Sequence, residues 1–391
     1  MKRTLIALAV MTATGAFAQS TVTISGQLDV GLAVSTSGAN VQTTTLAGGQ
    51  FGASRLRFVG VEDMGGGNKA NFWLEMQPNL ANGSTSANGL FNRSAWTGLS
   101  GGWGEMRLGR QGTTTVGVAC TAALLGCYGG FGAGGVLLSG TSGAAGPNGG
   151  GQNWISGTPT RGGAGLAVSS FGGGFNSSVA PAAGTTIPGA AVGTTSSGDV
   201  VRVVNAVTYL TPDFSGFSGQ VQYAFGGVAG ASGDGSTIGL LGSYAKGPIW
   251  AALAYSSVTG TAASPASGTA TTLAGSYDFG MAKVGLIYQK EGAASNGGPA
   301  VTFTDATAYA LTLAAPIGAA TVYGRFGNRT VSGGTNTLGT VAQIANIGVT
   351  YDLSKRTKLY ADYVVDTSPG QSGVMAATNP SQIGLGLQHT F

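Results

Sequence analysis

The 391-residue chain carries only 8% charged residues and 72 glycines, with a formal net charge of +4. Ordinary soluble domains hold roughly 25% charge, so this composition disfavours a typical soluble enzyme. The small charge excess, with no basic run beyond Lys355-Arg356 and Lys358, argues against nucleic-acid binding.

In chain order, Lys2 and Arg3 precede the apolar run Leu5 to Val10, and Ala16-Phe17-Ala18 follows. A charged start, a short apolar stretch and a small-residue site predict a signal peptide over residues 1–18. Residues 19–391 then form one domain. Its charge, with Lys2 and Arg3 gone, is 16 basic against 14 acidic residues, or +2.

From Val22 the apolar residues keep strict period two: Val22, Ile24, Gly26, Leu28, Val30, Leu32 and Val34 alternate with Thr23, Ser25, Gln27 and Asp29. One face is greasy and the other wet, as in a half-exposed strand. The pattern returns around Val221, Leu253, Leu273, Leu286, Val322, Ile347 and Leu359. These segments run about ten residues, the length of a tilted membrane-crossing strand. Aromatics sit at their ends: Tyr209, Phe225, Tyr244, Trp250, Tyr255, Tyr277, Phe279, Tyr288, Tyr351 and Tyr363. Short turns (Asp63–Asn68, Lys246–Pro248, Ala315–Gly318, Asp352–Thr357) alternate with Gly/Ser-rich stretches such as Ser35 to Phe51, Gly226 to Gly235 and Thr259 to Gly268. Alternation, length, aromatic ends and unequal connections predict an all-β, closed transmembrane antiparallel barrel in the Gram-negative outer membrane, with short periplasmic turns and long extracellular loops.

Seven segments carry a family resemblance, in order: Ser20–Asp29, Ser54–Gly67, Asn92–Ser100, Leu108–Gln111, Arg202–Tyr209, Tyr351–Thr357 and Ile383–Phe391. They resemble the general porins of beta-proteobacteria. The resemblance implies a homotrimer of sixteen-stranded barrels, each a passive diffusion channel for small hydrophilic solutes and ions, narrowed by a third loop folded into the pore. It also implies that terminal Phe391 is the signal read by the barrel-assembly machinery, and that the outer surface meets outer-membrane lipids. The stretch 112–199 is longer than the family loop. Within it, Gln152–Ser156 and Gly165–Phe171 form a possible extra hairpin, which gives eighteen strands if it enters the wall; sixteen is the expected count.

Parity against lipid-facing neighbours predicts the lumen charges. Arg55 and Arg57 alternate with Leu56 and Phe58. Arg93 shares parity with Thr97, Arg107 opposes Met106 and Leu108, Arg202 opposes Val201 and Val203, and Lys283 and Arg325 join them. Arg110 has outward parity but ends its strand, which predicts a bend or rim position. These groups read either as ordinary lumen charges or as a basic ladder; the family's arginines at Arg55, Arg93 and Arg202 favour the ladder. No Asp or Glu occurs from Gln111 through Gly198, so the third loop offers no acid partner. Anion selectivity follows, with small anionic or neutral solutes as cargo, softened by Asp29, Glu75, Glu105 and Asp362. Cys120 and Cys127 in an exported chain predict a disulfide loop.

Other functions find little in the sequence. The single histidine, His389, has the apolar parity of Leu387 and Phe391, and no serine sits in a nucleophile context, so no enzyme is expected. Glycine strings such as Gly132-Ala133-Gly134 open no helix after a strand, so no cofactor is expected either. Two thiols make a poor metal site. A solute-specific channel, or a structural barrel or adhesin with a plugged lumen, remain the alternatives.

Overall fold

The computed structural model describes residues 20–36, 42–49, 51–85, 89–124, 202–227, 230–231, 233–259, 268–295, 302–332, 341–366 and 381–391. The predicted signal peptide, the hairpin within 152–171, and Cys127 lie outside these residues.

The described residues form one antiparallel sheet of seventeen strands. They are β1 (Thr21–Thr36), β2 (Gln42–Gly48), β3 (Arg55–Gly65), β4 (Asn68–Met76), β5 (Ser94–Gly101), β6 (Gly104–Gly112), β7 (Arg202–Leu210), β8 (Phe217–Ala224), β9 (Thr237–Lys246), β10 (Ile249–Val258), β11 (Gly268–Asp278), β12 (Lys283–Ser295), β13 (Thr302–Ile317), β14 (Ala320–Ser332), β15 (Val341–Asp352), β16 (Thr357–Asp366) and β17 (Ser381–Thr390). Pairing of β1 with β17, from Gln27↔Thr390 to Thr36↔Ser381, closes the cylinder. Closure pairs the first strand with the last, which satisfies their backbone groups within lipid.

Seventeen strands fill sixteen wall positions, because β2 and β3 share one. The far half of β1 pairs with β2 (Val30↔Gly48), and its near half pairs with β3 (Gln27↔Arg55). Beyond β2, Phe51–Ser54 lies off the wall as a buried knuckle, its Gly52 amide bonded to Asp29. The expected loop from Ser35 to Phe51 is therefore corrected: Gln42–Gly48 is wall, and the chain returns to strand much earlier. Strands β6 and β7 bond directly to each other, so the wall has no gap there for an extra hairpin.

The alternation turns an ordinary protein inside out. Ile24, Leu32, Leu108, Val221, Leu253, Leu273, Leu286 and Leu385 are exposed, whereas Asp29, Thr208, Gln222, Thr272, Gln289, Thr312 and Asp362 are buried. The greasy residues cover the outside, and the polar ones face the interior. Most of the expected girdle aromatics, among them Tyr209, Phe225, Tyr277, Phe279 and Tyr351, are outside and exposed. Trp250 is a correction. It shares parity with inward Ala252 and Ala254 and packs against the interior cluster.

That interior cluster surrounds a helix, α1 (Thr114–Ala122), which opens the long β6–β7 connection. Rich in Thr and Val, α1 has weak intrinsic propensity, and Thr113 makes no side-chain cap bond. Tertiary contacts hold it instead. Val118, Ala119, Ala122 and Ala123 pack against Ala252, Ala254, Ala274, Ile287, Ala308 and Ala310. Complete burial of Val118 contributes roughly 1.5–3 kcal/mol. The Thr312 hydroxyl donates to the Ala122 carbonyl at 2.9 Å, and the Gln222 amide donates to the Gly112 carbonyl at 3.0 Å. Small inward residues on β10–β13 thus seat a helix rather than line open water, as their size alone suggests.

Candidate functional site: the lumen charge cluster

Strands β3 to β6 carry a basic cluster on the lumen wall. Alternation along β3 turns Arg55 and Arg57 inward, and the register sets Arg57 opposite Glu75 of β4. Arg57 Nε lies 2.8 Å from Glu75 Oε2, and Arg93 Nε lies 2.5 Å from Glu75 Oε1. One carboxylate therefore bridges two guanidiniums. Arg93 also donates to Gln77 Oε1 at 2.7 Å, and the Asn92 side chain accepts from the Gln77 amide at 3.0 Å. Arg110 Nε donates to the Asn92 carbonyl at 2.7 Å, which ties a fourth guanidinium to the same segment. The side chains of Arg93 and Glu75 are only 4% and 8% exposed. Buried charges so placed need one another, because stripping one leaves the other without solvent or partner.

Arg93 is inward for a different reason than simple parity. Trp96 pairs with Trp73 and shares its face with Glu75 and Arg107, while exposed Thr97 pairs with Phe72 and Leu108 on the lipid side. Arg93 has Thr97's parity, yet it lies in the bend before β5. Its amide bonds to the Glu75 carbonyl there (3.1 Å), which swings the side chain inside.

The other basic residues are dispersed. Arg107 forms a separate pair with Glu105 at 2.7 Å. Arg202 is corrected: Asn205 has φ 53°, and two residues of β7, Val204 and Asn205, oppose one of β6, Arg110, so Val203 is buried with Ala206 and Ala224. The bulge breaks the alternation that assigns Arg202 to the lumen, and it lies half-exposed at the long-loop end. Lys283 points inward beside the short 279–282 turn, well away from the cluster. Arg325 is buried on β14 over the Tyr323 ring, 4.8 Å from its centroid. Cys120 lies on α1 and is disulfide-bonded. Terminal Phe391 exchanges backbone bonds of 3.0 and 3.2 Å with Gly26.

Of the acids expected to soften the bias, two are spent on arginines and two on neutral donors. Asp29 is fully buried and accepts from the Gly52 amide (2.9 Å), the Tyr360 hydroxyl (2.9 Å) and Gln388 (3.1 Å). Asp362 accepts from the Tyr323 hydroxyl and the Asn346 amide. Phe51 of the knuckle packs on the two tyrosines that bond to these acids, stacked on Tyr360 at 5.5 Å and tilted on Tyr323 at 5.8 Å. Sequence reasoning missed this aromatic cap. Its signal is the run Gly48-Gly49-Gln50-Phe51-Gly52-Ala53-Ser54, where one ring stands among residues small enough to leave the wall.

A closed barrel with charges fixed on its inner wall is the geometry of a channel. Residues 4–371 match the sequence profile described as Gram-negative porin. The chain belongs to the Gram-negative porin family. It is 30% identical, over the full length of both chains, to outer membrane porin protein 32 of Delftia acidovorans. Among solved structures, an anion-selective porin from Comamonas acidovorans superposes with TM-score 0.67 at 25% identity, covering 95% of this chain and all (100%) of that one. The trimer form of an outer membrane protein of Vibrio cholerae shares the fold, with TM-score 0.57 at 13% identity, covering 95% of this chain and 99% of that one. This porin is an outer-membrane channel and not an enzyme.

Proposed function

We propose that this porin is a passive diffusion channel selective for small anions. One observation carries the reading: Arg55, Arg57 and Arg93 gather on one wall around a single carboxylate, Glu75. Fixed positive charge outnumbers negative there, and Asp29 and Asp362 sit beneath Phe51 rather than in the path of an ion. A positively biased lining raises the local anion concentration and lowers that of cations. The anion-selective porin from Comamonas acidovorans, similar over 95% of this chain, supports the same reading.

The working assembly is a homotrimer of signal-trimmed chains. Residues 112–199 form the enlarged third loop, opening with α1 inside the barrel. Cys120 joins Cys127, and Phe391 serves as the signal for the barrel-assembly machinery. Reversal potentials across planar bilayers under a KCl gradient test the selectivity: anion preference is expected, and clear cation preference refutes it. Light scattering in detergent tests the trimer.

A further inference from the structure

We propose that the lumen wall on the short-turn side of the arginine cluster is a binding site for planar aromatic carboxylates. The proposal rests on the reading of the lumen as an anion path, and adds a substrate class to it.

Four flat groups stand in a row on four successive strands: Arg57 on β3, Trp73 on β4, Trp96 on β5 and Arg107 on β6. Trp73 and Trp96 are register partners, their indoles 11° from parallel with centroids 6.2 Å apart. Arg57 Cζ lies 5.5 Å from the Trp73 ring centroid, and Arg107 Cζ lies 4.5 Å from that of Trp96. Cations over indole faces attract through the ring quadrupole, and a guanidinium offers a second flat face for stacking.

Three properties suit this row to a ring bearing a carboxylate. The indoles are half-buried on a wall whose other inward residues are mostly polar, so their exposed part is an apolar patch on the pore wall. The inward aromatics Tyr323 and Tyr360, by contrast, are buried under Phe51. The guanidinium side chains of Arg57 and Arg107 are 27% and 29% exposed, within reach of a passing anion. Finally, Arg107 is held by one acid among the described residues, Glu105, through Nη2, and a carboxylate at its exposed edge adds a second charge-assisted bond. An aliphatic anion gains only the charge term. An aromatic one adds a stacked layer, worth about tenfold in affinity.

The test uses the full-length, refolded channel in planar bilayers, with sodium benzoate and sodium cyclohexanecarboxylate as probes. They match in charge and nearly in size, but only one is flat and aromatic. Benzoate is expected to half-block the KCl current at about one tenth the concentration needed by the saturated acid. The pair W73L/W96L should erase that difference, and W73F/W96F should keep most of it. Equal block of the wild-type channel overturns the site, as does a preference that survives in W73L/W96L. If W73L/W96L does not fold, the wild-type ratio and W73F/W96F still decide. Reversal potentials from the same membranes separate the two readings: anion preference with equal block sinks the site alone, and cation preference sinks both.

Discussion

Glu75 holds two cluster arginines, so Glu75→Gln is the sharpest test of how the lumen selects ions. Glutamine keeps the volume and one oxygen acceptor for Arg57 or Arg93, and it removes one negative charge. Outright loss of a partner from a buried pair costs about 3–5 kcal/mol, which is why Gln is preferred to Ala. For an ion passing at about 6 Å through water of dielectric about 80, the removed charge is worth about 0.7 kcal/mol. Screening at 0.1 M salt, with a Debye length of about 10 Å, reduces this to about 0.4 kcal/mol. The change helps anions and hinders cations equally, so the chloride-to-potassium permeability ratio should rise about three- to fourfold, with about tenfold as the unscreened ceiling. In 1 M salt the Debye length falls to about 3 Å and the gain should nearly vanish. The assay is the zero-current potential under a KCl gradient, measured with dilute and then concentrated salt. An unchanged ratio in dilute salt, or a shift toward potassium, would mean that this cluster does not set the selectivity.

Three further outcomes are expected. Asp29→Ala removes the acceptor shared by Gly52, Tyr360 and Gln388; hydrogen bonds to a charged group contribute about 1.5–3 kcal/mol each, so the folded band should convert to the unfolded one at clearly lower temperature in gel-shift melting, and an unchanged midpoint argues against the knuckle's anchoring role. Ala254→Leu adds bulk beneath α1, where overpacking costs about 1–3 kcal/mol; single-channel records should show altered conductance with added noise, whereas a silent substitution means the helix does not rest there. Intact mass of the mature chain under non-reducing conditions should match the oxidised form, and thiol labelling of both cysteines refutes the Cys120–Cys127 bond.

Much of the wall was legible because lipid imposes a rule on each residue separately. A strand between lipid and water must alternate, so Leu56 and Phe58 place Arg55 and Arg57, and Met106 and Leu108 place Arg107, with no knowledge of distant contacts. The same local rule fails wherever the backbone departs from regular strand. The Asn205 bulge takes Arg202 off the expected face, the bend before β5 brings Arg93 inside by another route, and β2 with the knuckle at Phe51–Ser54 turns an expected loop into wall and cap.

The sequence by itself determined the closed cylinder, its greasy exterior and most of its basic lining, since these follow from period two and the demand that every backbone group in lipid be bonded. Only the tertiary structure decided what occupies the interior. Helix α1 forms on weak propensity because alanines from β10, β11 and β13 make room for it, and Phe51 covers Asp29 because Tyr323 and Tyr360, far along the chain, supply the surface beneath it. Those contacts join residues hundreds of positions apart, and no local pattern announces which partners closure of the barrel will bring together.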